Sequence, residues 1–188
     1  MRESVPAKWR YWEGGDRMLL WYFWIYSFLG YLLEKGFAKV TGAKLQGRKC
    51  FLLFPLCPVY GLGMLAVLAL PEALTWGVLG IIVCGMAATA VEYGVHWFYD
   101  TFLGVRFWDY SKVFGNLRGR ICLPFSLIWG GLTAAAVRWI HPAVERLAER
   151  TVPEVTYLCL LVFAADAVCS LLLLKVTGDP ERLRADRA

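Results

Sequence analysis

Charge and histidine are scarce in this sequence. Two histidines in 188 residues and a charged fraction of 19% leave little for the chemistry of a soluble catalytic domain. No phosphate-cradling Gly-x-x-x-x-Gly-Lys loop, Gly-x-Gly-x-x-Gly turn, His-Glu-x-x-His helix or Gly-x-Ser-x-Gly elbow occurs, so the usual nucleotide, zinc and serine-hydrolase readings lose their support. The six cysteines (Cys50, Cys57, Cys84, Cys122, Cys159 and Cys169) form no Cys-x-x-Cys pair and no Cys/His cluster. They read as small, reduced hydrophobes, and no metal or cofactor is expected. A cleavable leader is not expected either: Met1–Arg17 mixes acidic with basic residues, and no small-residue cleavage site follows the first apolar run. The net charge of +5 suits anionic lipid headgroups rather than nucleic acid.

Apolar residues are what the chain has in excess, at 59% with a mean hydropathy of +0.51. A soluble domain of this length could not bury so much; a bilayer dissolves it. Runs near Met18–Ala38, Cys50–Ala69, Leu74–Phe98, Ile121–Ile140 and Val155–Val176 each approach the ~17–25 residues that cross ~30 Å of hydrocarbon as helix. The expected fold class is all-α: a polytopic membrane helix bundle of about five transmembrane helices. Residues 1–17 form an N-terminal interfacial segment, 18–176 the transmembrane domain and 177–188 a charged tail. The connections 35–49 and 98–120 and the tail hold roughly twice the Lys and Arg of the opposite side, which places them in the cytoplasm.

Two stretches of the chain echo one another. "GYLLEKGF" leads through a polar connection to "GRKCFLLFPLCPVYG", and "ATAVEYGV" leads through a longer one to "GRICLPFSLIWGG". Each is a helix with a late glutamate (Glu34, Glu92), a loop, Gly-Arg-x-Cys, and an apolar run with proline and then aromatic-Gly. Parallel repeats of this kind are one way transporters are built. Both glutamates then sit at similar depth toward one face, where the loop Trp108–Arg120 also emerges. Pro55 and Pro58 break the second helix there, and a broken helix is tolerated where protein encloses it. The expectation is a polar pocket of two acids and a broken helix, capped by the loop.

Charges within the membrane are costly and call for a reason. Glu92, His96 and Asp100 share one helix face at i, i+4 and i+8. Glu92, the deepest, reads as a buried functional acid; Asp100 reads as a salt-bridged helix end, and His96, next to Trp97, as an ordinary interfacial side chain. Arg120, entering at a helix start, needs an acid, and Asp109, Glu92 or Glu34 is expected to supply it. Ser126 lies on a stripe of small residues that ends in Arg138, a packing face whose arginine reaches outward. Asp166, in mid-helix, is expected to accept hydrogen bonds from another helix or to be protonated by burial.

The strings "SFLGYLLE", "FPLCPVYGLG", "VEYGVHWFYDTFLGVRFWDYS" and "NLRGRICLPFSLIWG" together resemble the bacterial ABC-transporter type IV family, whose members are labelled ABC transporter permeases. The likeness covers most of residues 27–131. It implies a shared site of Glu34, Pro58, Tyr60, Gly61, Glu92, Asp100, Trp108, Asp109, Tyr110, Asn116, Gly119, Arg120, Ser126 and Trp129. Asp100 stands where the family has glutamate, His96 where it has a small residue, and Leu53-Phe54 in place of Tyr-Gly before Pro55. The chain carries no nucleotide-binding domain, so ATP-driven transport would rest on a separate ATPase subunit. The reading is a permease-like protein of the bacterial inner membrane, handling a small solute or cation through a polar pocket open to the cytoplasm. Its expected partners are membrane lipid, that solute, an ATPase or a second copy, and no nucleic acid. Two other readings stand beside it: an intramembrane enzyme acting on a lipid or isoprenoid headgroup, and a membrane scaffold or regulatory subunit.

Overall fold

The computed structural model describes residues 7–42 and 50–183. Lys44, Arg48 and Lys49, to which the sequence assigns a basic connection and the counterpart of Arg120, lie outside the described residues, as does the tail beyond Leu183. Among the described residues short 3-10 turns stand at Glu72–Leu74 and Pro180–Leu183, and the main elements are α-helices with one two-rung hairpin. In order they are α1 (Ala7–Thr41), α2 (Pro58–Leu68), α3 (Gly77–Phe98), β1 (Asn116–Leu117), β2 (Ile121–Cys122), α4 (Leu123–Ala135), α5 (His141–Glu149) and α6 (Pro153–Thr177). A π-turn, Tyr99–Leu103, extends α3, and another, Ala136–Ile140, joins α4 to α5. Three helical stretches, Gly77–Leu103, Leu123–Glu149 and Pro153–Thr177, are long and apolar enough to cross a membrane. Helix α1 is 35 residues long and passes through position 17 without a break.

The second apolar run does not form the single helix expected for Cys50–Ala69. Pro58 takes the first turn of α2, where its missing N–H costs nothing, and the helix lasts 11 residues. That is about 16 Å of rise, half the hydrocarbon thickness. Residues 50–57 enter the bundle without helical bonding, and other elements accept the N–H groups of Leu53, Phe54 and Cys57. The N–H groups of Leu53 and Phe54 donate to the Asp166 carboxylate at 3.1 and 3.2 Å. Cys57 N–H donates to the Ser27 carbonyl at 2.9 Å. Non-helical backbone survives at such depth only when protein surrounds it and supplies acceptors. The bend at Pro55 also brings Cys50 and Cys57 together as a disulfide, with Cα atoms 4.8 Å apart. This corrects the expectation that all six cysteines are reduced; Cys84, Cys122, Cys159 and Cys169 are free.

The tightest helix contacts are made by glycine. A Cβ on Gly61 would lie 2.5 Å from the Phe23 carbonyl oxygen of α1, and one on Gly130 would lie 2.6 Å from the Ile81 carbonyl oxygen of α3. Helices α1 and α6 run side by side in the same direction. Trp21 donates its indole N–H to Thr156 at 2.9 Å, and Phe23 meets Phe163 edge-on. At one end of the bundle Phe51, Tyr99, Val105, Phe107, Leu174 and Leu183 form one apolar cluster. The non-helical segment, the loop after α3 and the end of α6 therefore share a face. Leu161, Leu172, Val176, Val78 and Met86 remain exposed, an outer surface suited to lipid rather than water.

Candidate functional site

The loop 104–122 is built as a cap. Asp109 accepts the backbone N–H of Ser111 at 2.8 Å and also its hydroxyl, an Asx-type turn. The Ser111 hydroxyl and N–H together hold the Asp109 carboxyl below the usual aspartate range. Asn116 donates to the carbonyls of Ser111 and Val113, and its own side-chain oxygen accepts Gly119 N–H at 3.2 Å. Gly119 has φ 68°, and a Cβ there would strike Asp109 Oδ1, so this turn requires glycine. The folded loop then returns Tyr110, whose N–H bonds the Gly119 carbonyl at 2.8 Å, to the bundle interior.

There Tyr110 and α4 meet Glu92. The glutamate is fully buried at 0% exposure, accepting the Tyr110 hydroxyl at 3.1 Å and the Trp129 indole N–H at 2.9 Å. Tyr110 stacks on Phe125 with ring centroids 5.1 Å apart. Beside this cluster Glu34, also buried, accepts the Tyr60 hydroxyl. The Tyr60 and Trp129 rings lie 4.8 Å apart, so the two acid–aromatic pairs abut. The contacts match in register. Gly61, after Tyr60, packs on Phe23 and Ser27, which are 11 and 7 residues before Glu34. Gly130, after Trp129, packs on Ile81 and Gly85, at the same distances before Glu92.

Arg120 does not clasp Asp109, Glu92 or Glu34. Its guanidinium donates to Asp100 at 3.1 Å and to the Tyr93 hydroxyl at 3.1 Å, lying over that ring at 5.2 Å. The three expected acids are engaged elsewhere: Asp109 closes its own turn, and Glu92 and Glu34 face aromatic donors. Asp100 also receives Arg106 at 2.8 Å, so one carboxylate holds two arginines. The Arg120 carbonyl accepts Trp108 Nε1 at 2.9 Å, and Trp108's own carbonyl pairs with His96 Nε2 at 2.9 Å. His96 is thus a buried residue at 3% exposure rather than an interfacial one.

Glu34, Tyr60, Glu92, Tyr110 and Trp129 come together; Asp100 and Arg120 form a second, more exposed cluster; Asp109 and Asn116 shape the cap. Pro58 starts α2 and lines a small cavity with Glu34 and Tyr60. Ser126 donates to the carbonyl of Cys122, the residue that caps the start of α4, and joins neither cluster. Arg138 lies over the Trp76 ring at 4.5 Å, and Asp166 anchors the segment 50–57. Tyr93 and Arg106 are site neighbours that sequence spacing did not single out. Tyr93 follows Glu92 directly and points to another face; only the returning loop makes it a partner of Arg120.

Comparison with curated proteins and with solved structures gave no match. A family model, described as Putative ABC-transporter type IV, matches residues 21–171, which include α2 to α5 and most of α1 and α6. With apolar helices long enough to span a bilayer and this match over most of its length, the protein is a membrane protein that belongs to the Putative ABC-transporter type IV family.

Proposed function

We propose that this protein is the membrane component of a transport system, passing a small cation or a proton through the Glu34–Tyr60–Trp129–Glu92 cluster beneath the Tyr110 cap. The observation that carries the reading is Glu92: a carboxylate at 0% exposure in an apolar helix, tied to the loop by Tyr110. Ionisable groups at such depth are costly and mark ion or proton pathways. The chemistry is simple. Lifting the cap removes the Tyr110 hydroxyl from Glu92 and leaves a carboxylate oxygen for a cation, with the Tyr60 and Trp129 rings as neighbours. The matched contacts around Glu34 and Glu92 support a parallel two-hairpin repeat, and the basic bias supports a cap on the cytoplasmic side of a five-crossing bacterial inner-membrane protein.

The test is flux in liposomes made with purified protein, using protons, K⁺, Na⁺ and tetramethylammonium as probes. Wild type should conduct at least one of them, and folded Glu92→Gln should lose most of that flux. Equal flux in the two proteins would refute the role of Glu92. One observation favours a scaffold instead: the cavity lined by Glu34, Tyr60 and Trp108 is about 20 Å³, room for roughly one water. A scaffold predicts no flux with any probe and a stable protein partner.

A further inference from the structure

A groove of about 580 Å³ runs between α3 and α4 on the outer surface, within the ~300–1,000 Å³ common for ligand sites. It is separate from the Glu34–Glu92 cluster. Its floor on α3 is the stripe Ile81, Gly85, Thr89 and Tyr93, and its wall on α4 includes Leu123 and Leu127. From Ile81 to Tyr93 the stripe rises about 18 Å, close to the ~15 Å thickness of one hydrocarbon leaflet. The groove exists because Gly85 and Gly130 let the helices touch at its base, where a Cβ on Gly85 would lie 3.0 Å from Gly130 Cα. The wall is almost wholly apolar.

The end at Tyr93 is different. Leu117 and Ile121 of the β-hairpin close it, and between them stand Arg118 and Arg120. Arg120 bonds the Tyr93 hydroxyl at 3.1 Å. Arg118 sits at the turn with φ 53° and is exposed; among the described residues it has no ion-pair partner. Asp100 is shared by Arg106 and Arg120, so the carboxylate does not cancel both cations. The mouth of the groove is therefore cationic and its trough is one acyl chain long.

We propose that this groove binds an anionic phospholipid from the leaflet on the loop side, one acyl chain lying along Ile81–Tyr93 and its phosphate meeting Arg118 and Arg120. Basic sites between membrane helices hold anionic headgroups by this combination of charge and apolar cleft, and a bulk lipid of neutral headgroup gains only the trough. The site lies on the same α3 and loop that carry Glu92 and the Tyr110 cap, so lipid occupancy bears on the loop's position.

The experiment is native mass spectrometry of the protein released from nanodiscs holding equal phosphatidylglycerol and phosphatidylcholine. Wild type should retain one phosphatidylglycerol in preference to phosphatidylcholine by about fivefold or more, the factor one surface arginine contributes toward an anionic headgroup. Arg118→Asn, which suits the positive φ, should reduce that preference toward parity without loss of folding. Ala90→Trp, placed on the exposed groove wall, should abolish the retained lipid of either headgroup. Equal retention of the two lipids by wild type, or a preference unchanged in both variants, would overturn the proposal. Circular dichroism of each variant separates loss of lipid from loss of fold.

Discussion

At the residue scale the decisive group is Glu92. Replacing it by alanine orphans the Tyr110 hydroxyl and the Trp129 indole N–H, each at about 1–3 kcal/mol. Glu92→Ala should therefore lower detergent-solubilised stability by roughly 2–6 kcal/mol, and Glu92→Gln, which keeps an acceptor oxygen, by clearly less. Thermal melting of both variants checks this. Arg120 and Arg118 differ by place rather than by type. Arg120 holds Asp100 and Tyr93 while Arg118 is exposed and has no ion-pair partner among the described residues, so Arg120→Ala should melt well below wild type and Arg118→Asn close to it. Asp109 adds a pH dependence. Its carboxyl lies below the ordinary value of 3.8 because Ser111 bonds the ionised form, so its contribution to the loop is present above that value. The contribution is lost as pH falls through the lower folded value. Hydrogen exchange of the Ser111 amide should accelerate on acidification relative to its neighbours, and Asp109→Asn should remove that step.

At the element scale the non-helical segment 50–57 and the glycine contacts set the bundle's shape. The segment persists because Asp166 accepts two backbone N–H groups. Asp166→Ala leaves the Phe54 N–H without an acceptor, at about 1–3 kcal/mol, and leaves the Leu53 N–H only the Ser170 hydroxyl at 3.2 Å, while Asp166→Asn keeps one acceptor oxygen. Amide exchange should rise steeply at Phe54 and less at Leu53 in the alanine variant, and modestly at both in the asparagine variant; unchanged exchange at Phe54 in both variants would separate the segment from α6. Glycine has opposite effects one residue apart. A Cβ at Gly130 meets the Ile81 carbonyl oxygen at 2.6 Å, whereas at Gly131 nothing lies within 4 Å. Gly130→Ala should force α3 and α4 apart and destabilise. Gly131→Ala should be neutral or stabilise by up to about 1 kcal/mol, the helix-propensity gain.

At the scale of the whole molecule two signals bear on orientation in opposite senses. The basic excess in the loop and tail is the argument for a cytoplasmic face, whereas the Cys50–Cys57 disulfide on the same side is of a kind formed in oxidising compartments. The charge signal is the stronger, being counted over short connections, and Cys57 is shielded from thiols at 3% exposure. Single cysteines at Lys112 and Arg184, in a background without native cysteines, should resist an impermeant reagent in intact cells and react after permeabilisation. Labelling of both in intact cells would reverse the orientation and take the cap to the outer side.

The amino-acid sequence by itself determined the class of solvent and the element type, because apolar runs of membrane length have few other solutions. It also located the acids: Glu34 and Glu92 stood out as charges among hydrophobes, each followed by an aromatic-Gly in the repeated order, though that order did not show that Tyr60 and Trp129 bond them. Only the tertiary structure decided which carboxylate meets Arg120. The sequence offered Asp109, Glu92 and Glu34, and the turn closed by Ser111 and Asn116 instead sends the guanidinium to Asp100 and Tyr93 while it sends Tyr110 to Glu92. The unwinding of residues 50–57 was likewise decided in three dimensions. Two prolines permit it, but a backbone without helical bonds is stable at that depth because Ser27 on one side and Asp166 and Ser170, more than a hundred residues further along the chain, supply acceptors.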